Sequence, residues 1–131
     1  MNKTYTLNSI GIKDVTFGSN VQVVEPLNLY GCSIGDNTFI GPFVEIQNDV
    51  KIGNNCKISS KTIIGPNVTV GDNCILSNCK IQNSIIMSNC TIDSEIDIEK
   101  SIIAYNCKIL QNSSLTDTHK FLLGEGTTLS L

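Results

Sequence analysis

The feature that most constrains this chain is an aliphatic residue that recurs at every sixth position. In residues 32–56, CSIGDNTFIGPFVEIQNDVKIGNNC, this residue is Ile34, Ile40, Ile46 and Ile52. An α-helix repeats every 3.6 residues and a β-strand every 2, so neither period explains the spacing by itself. Four of the steps are five residues long instead of six. The recurring aliphatic position is filled in turn by Phe17, Val23, Leu29, Ile34, Ile40, Ile46, Ile52, Ile58, Ile64, Val70, Leu76, Ile81, Ile86, Ile92, Ile98, Ile103, Ile109 and Leu115. Repetition on this scale predicts a solenoid.

A smaller residue lies two positions before most of these aliphatic residues, and it is usually Val, Thr, Ser or Cys. Because residues two apart on a strand point to the same side, each hexapeptide predicts a short strand with both residues facing inward. Six of the ten glycines directly follow the aliphatic residue. Gly, Asn and Asp tolerate positive φ, so we expect these residues to form the corners between strands.

Asparagine marks a longer period of three hexapeptides. It recurs three residues after every third aliphatic position, at Asn20, Asn37, Asn55, Asn73, Asn89 and Asn106. These residues would stack about 4.8 Å apart if three strands made one coil, and stacked amides can form a ladder. The chain therefore predicts an all-β fold, a triangular parallel β-helix of about six coils.

The whole chain, 1–131, is expected to be one β-helix domain with a cap at each end. The repeats span 15–115, preceded by an N-terminal cap at 1–14 and followed by a C-terminal cap at 116–131. A solenoid end exposes unpaired backbone and apolar core, which a cap must cover. Phe121, Leu122 and Leu123 suit that role.

All six cysteines occupy the small inward position, and Cys56, Cys74, Cys90 and Cys107 are predicted to form one stack. A parallel stack in register is a poor geometry for disulfides, so we expect buried, reduced thiols that act as small core residues. Zinc binding is the alternative, but the close C-x₂-C pairs that zinc sites use are missing from the sequence. No metal is therefore expected.

Charge and hydropathy exclude several classes of function. The net charge is -3, with nine lysines and no arginine, which argues against nucleic acid as a partner. No apolar run is long enough to span a membrane, and the N-terminal segment lacks the apolar core of a signal peptide. We therefore expect a cytoplasmic protein with no membrane span.

Two outward-facing patterns bear on partners. Asp93, Glu95, Asp97 and Glu99 alternate with other residues in DSEIDIEK, which predicts a solvated strand face and not a cation site. Ile85 and Ile102 lie one residue before the aliphatic position and are expected to stack outward on consecutive coils. Contiguous exposed apolar residues mark a partner surface, and symmetric self-association is the commonest kind.

The segment NLYGCSIGDNTFIGPFVEIQNDVKIGNNCKI, residues 28–58, resembles the hexapeptide-repeat nucleotide-sugar N-acetyltransferases of cell-surface polysaccharide synthesis. The resemblance implies a left-handed solenoid, a homotrimer with its active site between subunits, and acetyl-CoA as the cofactor. The next segment of such enzymes reads like QSHSFIC and carries a functional histidine. Here the corresponding segment is SSKTIIG, with Lys61 in that place.

Residues 75–131 are more similar to the C-terminal solenoid of the long-form glucose-1-phosphate thymidylyltransferases. The similar stretches are NSIIMSNCTID, KSIIAYNCKI and HKFLLGEGTTLSL. In those enzymes a separate N-terminal domain performs nucleotidyl transfer, and the solenoid serves assembly and regulation. This second resemblance implies an oligomerising or regulatory module.

His119 is the only histidine and thus the only candidate for the general base that an acetyltransferase needs. Its place in the predicted capping tail favours a structural role instead. Two functions follow from the sequence. The first is an acetyl-CoA-dependent acetyltransferase that acts on a nucleotide-linked sugar. The alternative is a non-catalytic oligomerising or regulatory β-helix related to the C-terminal domain of sugar-1-phosphate nucleotidyltransferases.

Overall fold

The computed structural model describes residues 11–111, which form eighteen short strands. Successive strands belong to three sheets in turn, and each strand pairs in parallel with the strand three places later. Three strands therefore complete one coil, and the described residues make six coils. Within this range there is no helix, and so none that could span a membrane. The predicted three-sided parallel β-solenoid is confirmed.

Each side of the prism is one six-stranded sheet. Sheet A contains β1 (Ile12–Lys13), β4 (Asn28–Tyr30), β7 (Glu45–Ile46), β10 (Ile63–Ile64), β13 (Lys80–Gln82) and β16 (Asp97–Glu99). Sheet B contains β2 (Thr16–Phe17), β5 (Cys32–Ile34), β8 (Val50–Ile52), β11 (Val68–Val70), β14 (Ser84–Ile86) and β17 (Ile102–Ile103). Sheet C contains β3 (Gln22–Val23), β6 (Phe39–Ile40), β9 (Lys57–Ser59), β12 (Ile75–Ser77), β15 (Thr91–Asp93) and β18 (Lys108–Leu110).

The chain turns at three corners, which we name after the sheets they join. Corner AB leads from sheet A to sheet B, corner BC from B to C, and corner CA from C to the sheet A strand of the next coil. The register across coils is the predicted one, since Val70 pairs with Ile52 below and Ile86 above. Of the eighteen predicted aliphatic positions, only Leu115 lies outside the described residues.

The core is a narrow column of aliphatic and thiol side chains. Ile40, Ile58 and Leu76, stacked on sheet C, are all completely buried. The small inward positions are buried from Leu27 onward, except for the partly buried Ile96. The sequence therefore predicted the inward residues of coils 2 to 6 correctly. In coil 1 the prediction is wrong for Phe17, which is 39% exposed because no coil below covers it within the described residues.

The strand ladder begins earlier than the sequence suggested. Strand β1 pairs with Leu29 and Tyr30 although it lies within the predicted cap at 1–14. Ile12 is 49% exposed at this end of the column. Of the two predicted caps, only the segment 11–14 lies within the described residues.

The predicted asparagines all adopt left-handed backbone at corner BC. Their φ values are 58° at Asn20, 57° at Asn37, 57° at Asn55, 59° at Asn73, 65° at Asn89 and 63° at Asn106. One pair of side chains bonds as the predicted amide ladder requires, with Asn20 Nδ2 donating to Asn37 Oδ1 at 3.3 Å. The position before each asparagine makes a more regular ladder.

This second ladder joins side chains to the backbone of the coil before. Asp36 Oδ1 accepts the Ser19 N–H at 2.8 Å, and Asn54 Oδ1 accepts the Asp36 N–H at 2.7 Å. Asp72 Oδ1 accepts the Asn54 N–H at 2.8 Å, and Ser88 Oγ accepts the Asp72 N–H at 2.9 Å. Each side chain thus binds a corner amide that faces outward between the coils.

The side-chain-to-backbone ladder explains the glycines of corner BC. A Cβ on Gly53 would lie 2.5 Å from Asp72 Oδ1 and 2.6 Å from the carbonyl carbon of Gly71. Gly53 does not have positive φ, so the expectation that its backbone conformation requires glycine is wrong. Glycine is needed there because the next coil occupies the space of a side chain.

Candidate functional site

An open groove of about 450 Å³ runs along the outer face of sheet B beside corner AB. It spans coils 4 to 6 and combines apolar, amide and cationic groups. Its lining residues are Asn67, Thr69, Asn83, Ser84, Ile85, Lys100, Ser101 and Ile102. We call it the sheet B groove.

The floor of the groove is the predicted outward isoleucine pair. Ile85 and Ile102 are register partners on β14 and β17. They are 43% and 44% exposed, so their side chains lie against each other on the surface. The predicted stacking and outward orientation of this pair are confirmed.

The polar side of the groove is formed by corner AB. Asn67 Nδ2 donates to Asn83 Oδ1 at 3.1 Å, and Lys100 takes the equivalent position one coil further. Behind them, buried Ser84 Oγ accepts the Ser101 N–H at 3.1 Å and donates to a backbone carbonyl, which fixes the corner. The groove therefore offers apolar contact, amide hydrogen bonds and one exposed ammonium group.

The described residues place neither Lys61 nor the candidate base His119 at this groove. Lys61 is exposed at corner CA, the corner that joins the two other sheets and lies opposite sheet B. His119 lies outside the described range, so its role stays a prediction. A single protomer therefore does not bring Lys61 to the sheet B groove.

All six cysteines are buried and free, as predicted. Their thiols also have a role that the sequence reasoning missed. The thiols of Cys56, Cys74 and Cys90 donate to the carbonyls of Gly71, Met87 and Ala104 at 3.1, 3.2 and 3.0 Å. In the coil before Cys56, Thr38 Oγ1 makes the equivalent bond to Gly53 O at 2.9 Å. In each of these coils, the hydroxyl or thiol of the small inward residue therefore donates a hydrogen bond to a corner carbonyl.

Three of the thiols have a raised pKa. Burial raises the pKa of Cys32 to about 11 and that of Cys79 to about 12. Hydrogen bonds with the neighbouring thiols Cys56 and Cys90, and then burial, raise the pKa of Cys74. Among residues 11–111, no group of three or more His, Cys, Asp or Glu side chains is placed to hold a metal.

The acidic run lies on the surface, as predicted. Asp93, Glu95, Asp97 and Glu99 are all exposed. Asp97 is the register partner of Lys80 on sheet A. The expected solvated face is therefore confirmed.

Sequence reasoning missed an unusual set of corner residues. Most left-handed corner positions in the described range hold Asn, Asp or Gly, but four hold another residue. These are Phe43 (φ 61°), Ser60 (φ 48°), Lys61 (φ 59°) and Lys100 (φ 52°). Phe43 is also 66% exposed. The asparagine period in the sequence marks corner BC, whereas these residues lie at the other two corners, so the repeat carried no signal for them.

Several solved structures resemble the solenoid. A Bacillus cereus protein provisionally called an acetyltransferase, the BC4754 gene product, is 22% identical over 76% of this chain and 67% of that chain, with a TM-score of 0.46. A UDP-N-acetylglucosamine acyltransferase is 12% identical over 76% and 68%, with a TM-score of 0.48. A point variant of AntD, a Bacillus cereus N-acyltransferase in complex with dTDP and coenzyme A, is 17% identical over 75% and 80%, with a TM-score of 0.37.

At a significant level, no curated protein matches the chain in sequence. Residues 46–130 match the family described as the GMPPB C-terminal domain. The match covers most of the chain, from β7 through the last described coil and beyond. With its eighteen strands and hexapeptide register, the chain belongs to the GMPPB C-terminal domain family and is a hexapeptide-repeat β-helix.

Proposed function

We propose that the chain is an acetyl-CoA-dependent acetyltransferase that acts on a nucleotide-linked sugar in cell-surface polysaccharide synthesis. It acts in the cytoplasm as a homotrimer. The observation that carries this proposal is the sheet B groove, with its apolar floor, amide edge and single ammonium group. The resemblance of residues 28–58 to nucleotide-sugar N-acetyltransferases supplies the reaction class.

The chemistry of the groove matches that of coenzyme A. The cofactor has a long flexible stem that contains amide groups and ends in phosphates. Ile85 and Ile102 offer apolar contact to the stem, and Asn67 and Asn83 offer hydrogen bonds to its amides. Lys100 attracts a phosphate as a point charge. The groove volume of about 450 Å³ lies within the usual range for small-molecule sites.

Self-association would complete the site. The groove is open, and its floor is the exposed isoleucine pair that marks a partner surface. A second protomer that packs over Ile85 and Ile102 turns this groove into a cleft between subunits. Water is then excluded from the thioester, and residues of the neighbour can reach it.

Acetyl transfer requires a base for the acceptor group. Bound acetyl-CoA would supply the acetyl group as a thioester, which the amine or hydroxyl of the sugar would attack with loss of the coenzyme A thiol. His119 is the candidate that takes the proton from the attacking group. Lys61 lies on the far corner of its own protomer, so it could take part only from a neighbouring subunit.

Calorimetry with acetyl-CoA tests the groove. We expect binding by the native chain and at least a tenfold loss of affinity for Lys100→Ala. Lys108→Ala is the matched control, because Lys108 is exposed on sheet C away from the groove, and it should bind normally. The proposal fails if saturating acetyl-CoA gives neither heat nor a shift in melting temperature.

A transfer assay tests the reaction, with mass spectrometry of nucleotide-linked amino sugars incubated with acetyl-CoA. His119→Ala should lower kcat by about 100-fold or more and leave acetyl-CoA affinity unchanged. Transfer that proceeds at the native rate in this variant would exclude His119 as the base.

A second function is favoured by the family match itself, because residues 46–130 correspond to a C-terminal domain. In this alternative the chain is a non-catalytic oligomerising or regulatory β-helix. It predicts self-association through sheet B without acetyl-CoA binding. Acetyl transfer that His119→Ala abolishes would exclude it.

A further inference from the structure

Three of the four unusual left-handed residues gather at one place. Phe43 lies at corner CA at the end of coil 2, and Ser60 and Lys61 lie at the same corner at the end of coil 3. In the next coil the corner position is filled by Asn78, also with positive φ. Coils 2 to 4 therefore turn at this corner through left-handed residues, and coils 2 and 3 fill the turn with residues that do not favour that conformation.

These residues have an energetic cost. A bulky side chain in left-handed backbone is an outlier, whereas asparagine adopts this conformation routinely. A strained backbone position lowers stability and tends to occur where the side chain serves a site. Phe43 and Lys61 thus hold unfavourable positions at which Asn would be more stable.

The two side chains are placed together on the surface. Phe43 and Lys61 each follow their inward isoleucine by three residues, on consecutive coils about 4.8 Å apart. Phe43 is 66% exposed and Lys61 is also exposed. Beside them on sheet C, Phe39 and Lys57 form a second register pair of an aromatic residue and a lysine.

The charges around this corner are arranged in favour of an anion. The corner residues of coils 2 and 3 include no carboxylate; the nearest one is Glu45, at the start of β7, whose two oxygens accept hydrogen bonds from neighbouring side-chain amides. Glu25 lies one coil below, and Asp93 lies two coils above Lys61, where it accepts a hydrogen bond from Asn78 Nδ2 at 3.2 Å. The local cations at coil 3 are Lys57 and Lys61.

We propose that corner CA of coils 2 and 3 binds a nucleoside diphosphate, with the base stacked on Phe43 and the phosphates on Lys61 and Lys57. Stacking of a base on an aromatic ring favours binding and tolerates any base. Ammonium groups attract phosphate as point charges. This inference deepens the proposed function, on which it rests for the biological source of the nucleotide but not for the binding.

The same chemical group has two possible sources. Coenzyme A carries an adenosine diphosphate moiety, and a nucleotide-linked sugar carries a nucleoside diphosphate. Competition separates them: displacement of bound ADP by acetyl-CoA at stoichiometric concentration assigns the corner to the cofactor. Displacement by UDP-N-acetylglucosamine, but not by acetyl-CoA, assigns it to the acceptor.

The test is a calorimetric titration of the full chain with ADP, UDP and pyrophosphate. We expect both nucleotides to bind and pyrophosphate to bind at least tenfold more weakly. Phe43→Asn and Lys61→Asn should each weaken ADP binding by tenfold or more. Both variants should melt at or above the temperature of the native chain, because asparagine suits the left-handed backbone. A loss of binding therefore cannot come from unfolding.

Lys51→Asn is the matched control, because Lys51 is an exposed lysine on β8 of sheet B, the side of the prism opposite this corner. It should bind ADP like the native chain. The proposal is overturned if neither ADP nor UDP binds, or if Phe43→Asn and Lys61→Asn both keep native affinity. Absence of acetyl transfer together with ADP binding that depends on Phe43 would contradict the proposed reaction and leave this site standing.

Discussion

The Asp72 carboxylate occupies the place that a β-carbon on Gly53 would need, with Oδ1 only 2.5 Å from that position. The same oxygen accepts the backbone N–H of Asn54 at 2.8 Å. One side chain therefore closes the corner of the coil before it and excludes any side chain there. The relationship repeats between Gly35 and Asn54, and between Gly71 and Ser88.

Gly53→Ala should lower the free energy of unfolding by about 1–3 kcal/mol, because the added methyl group overlaps both a side chain and the backbone of Gly71. Gly41→Ala is the control, because its Cβ would first meet Ser59 Cβ at 3.3 Å. We expect it to cost less than half as much. Urea unfolding of both variants measures the difference, and equal losses would contradict this account of the glycine.

The thiol of Cys56 can be tested as a hydrogen-bond donor. Cys56→Val should lower the free energy of unfolding by about 1–3 kcal/mol, because the Gly71 carbonyl loses its bond from Sγ. Cys56→Thr should cost less than half of that, because Thr38 already makes the equivalent bond in the coil below. If valine proves as stable as threonine in thermal and urea unfolding, the cysteine is only a space-filling residue.

Stability should fall as the pH rises above about 9. Unfolded thiols ionise near pH 8.5, whereas burial holds the pKa of Cys32 at about 11 and that of Cys79 at about 12. Between these values the unfolded state binds fewer protons than the folded state, so alkali favours unfolding. The stabilisation is complete at pH 7 and is lost progressively as the pH rises to about 11 for Cys32 and about 12 for Cys79.

Urea midpoints at pH 7, 9 and 10 measure this dependence. A variant that combines Cys32→Ala with Cys79→Ala should be less stable at pH 7 but should lose less stability between pH 9 and 10. Identical pH dependence in the variant and the native chain would show that these two thiols do not titrate as described.

Self-association should depend on the outward isoleucines of sheet B. Ile102→Lys should put a charged side chain next to Ile85 in the apolar contact surface. We expect this variant to shift from trimer to monomer in sedimentation velocity. Ile75→Lys is the control, because Ile75 is similarly exposed, at 45%, but lies on sheet C. A trimer that survives Ile102→Lys, or a monomeric native chain, would contradict the proposed assembly.

The sequence predicted the parts of the fold that depend on period alone. Three steps of the repeat make one coil, so counting steps places Ile52, Val70 and Ile86 in one column, although the two intervals are 18 and 16 residues long. The outward pair Ile85 and Ile102 follows from the same geometry. The stacking of these residues could therefore be read without coordinates.

What the sequence did not reveal depends on which way individual side chains turn at the corners. The fold-back of Asp72 onto Asn54 could have been suspected, because short hydrogen-bond acceptors recur before the corner asparagines. The donor role of Cys56 needs the position of a carbonyl in the next coil. The conformation of Phe43 contradicts its residue type, so no local rule predicts it.

The candidate site likewise combines features that the sequence predicted with features that it did not. Its apolar floor is periodic and was predicted, whereas the contribution of Lys100 arises from a five-residue step that brings a lysine to the corner. Lys61 was singled out by resemblance, but only the three-sheet arrangement shows that it lies opposite the groove.

In coils 2 to 5, the corner side chain of each coil binds a backbone N–H of the coil before it. Each of these coils therefore contains the hydrogen-bond acceptor that its neighbour requires. A duplicated eighteen-residue unit such as 53–70 would therefore insert as one additional coil and leave the coils on either side unchanged. Gene duplication would thus change the distance between the first and the last coil in steps of about 4.8 Å. The number of coils can therefore change during evolution without any redesign of the coils at either end.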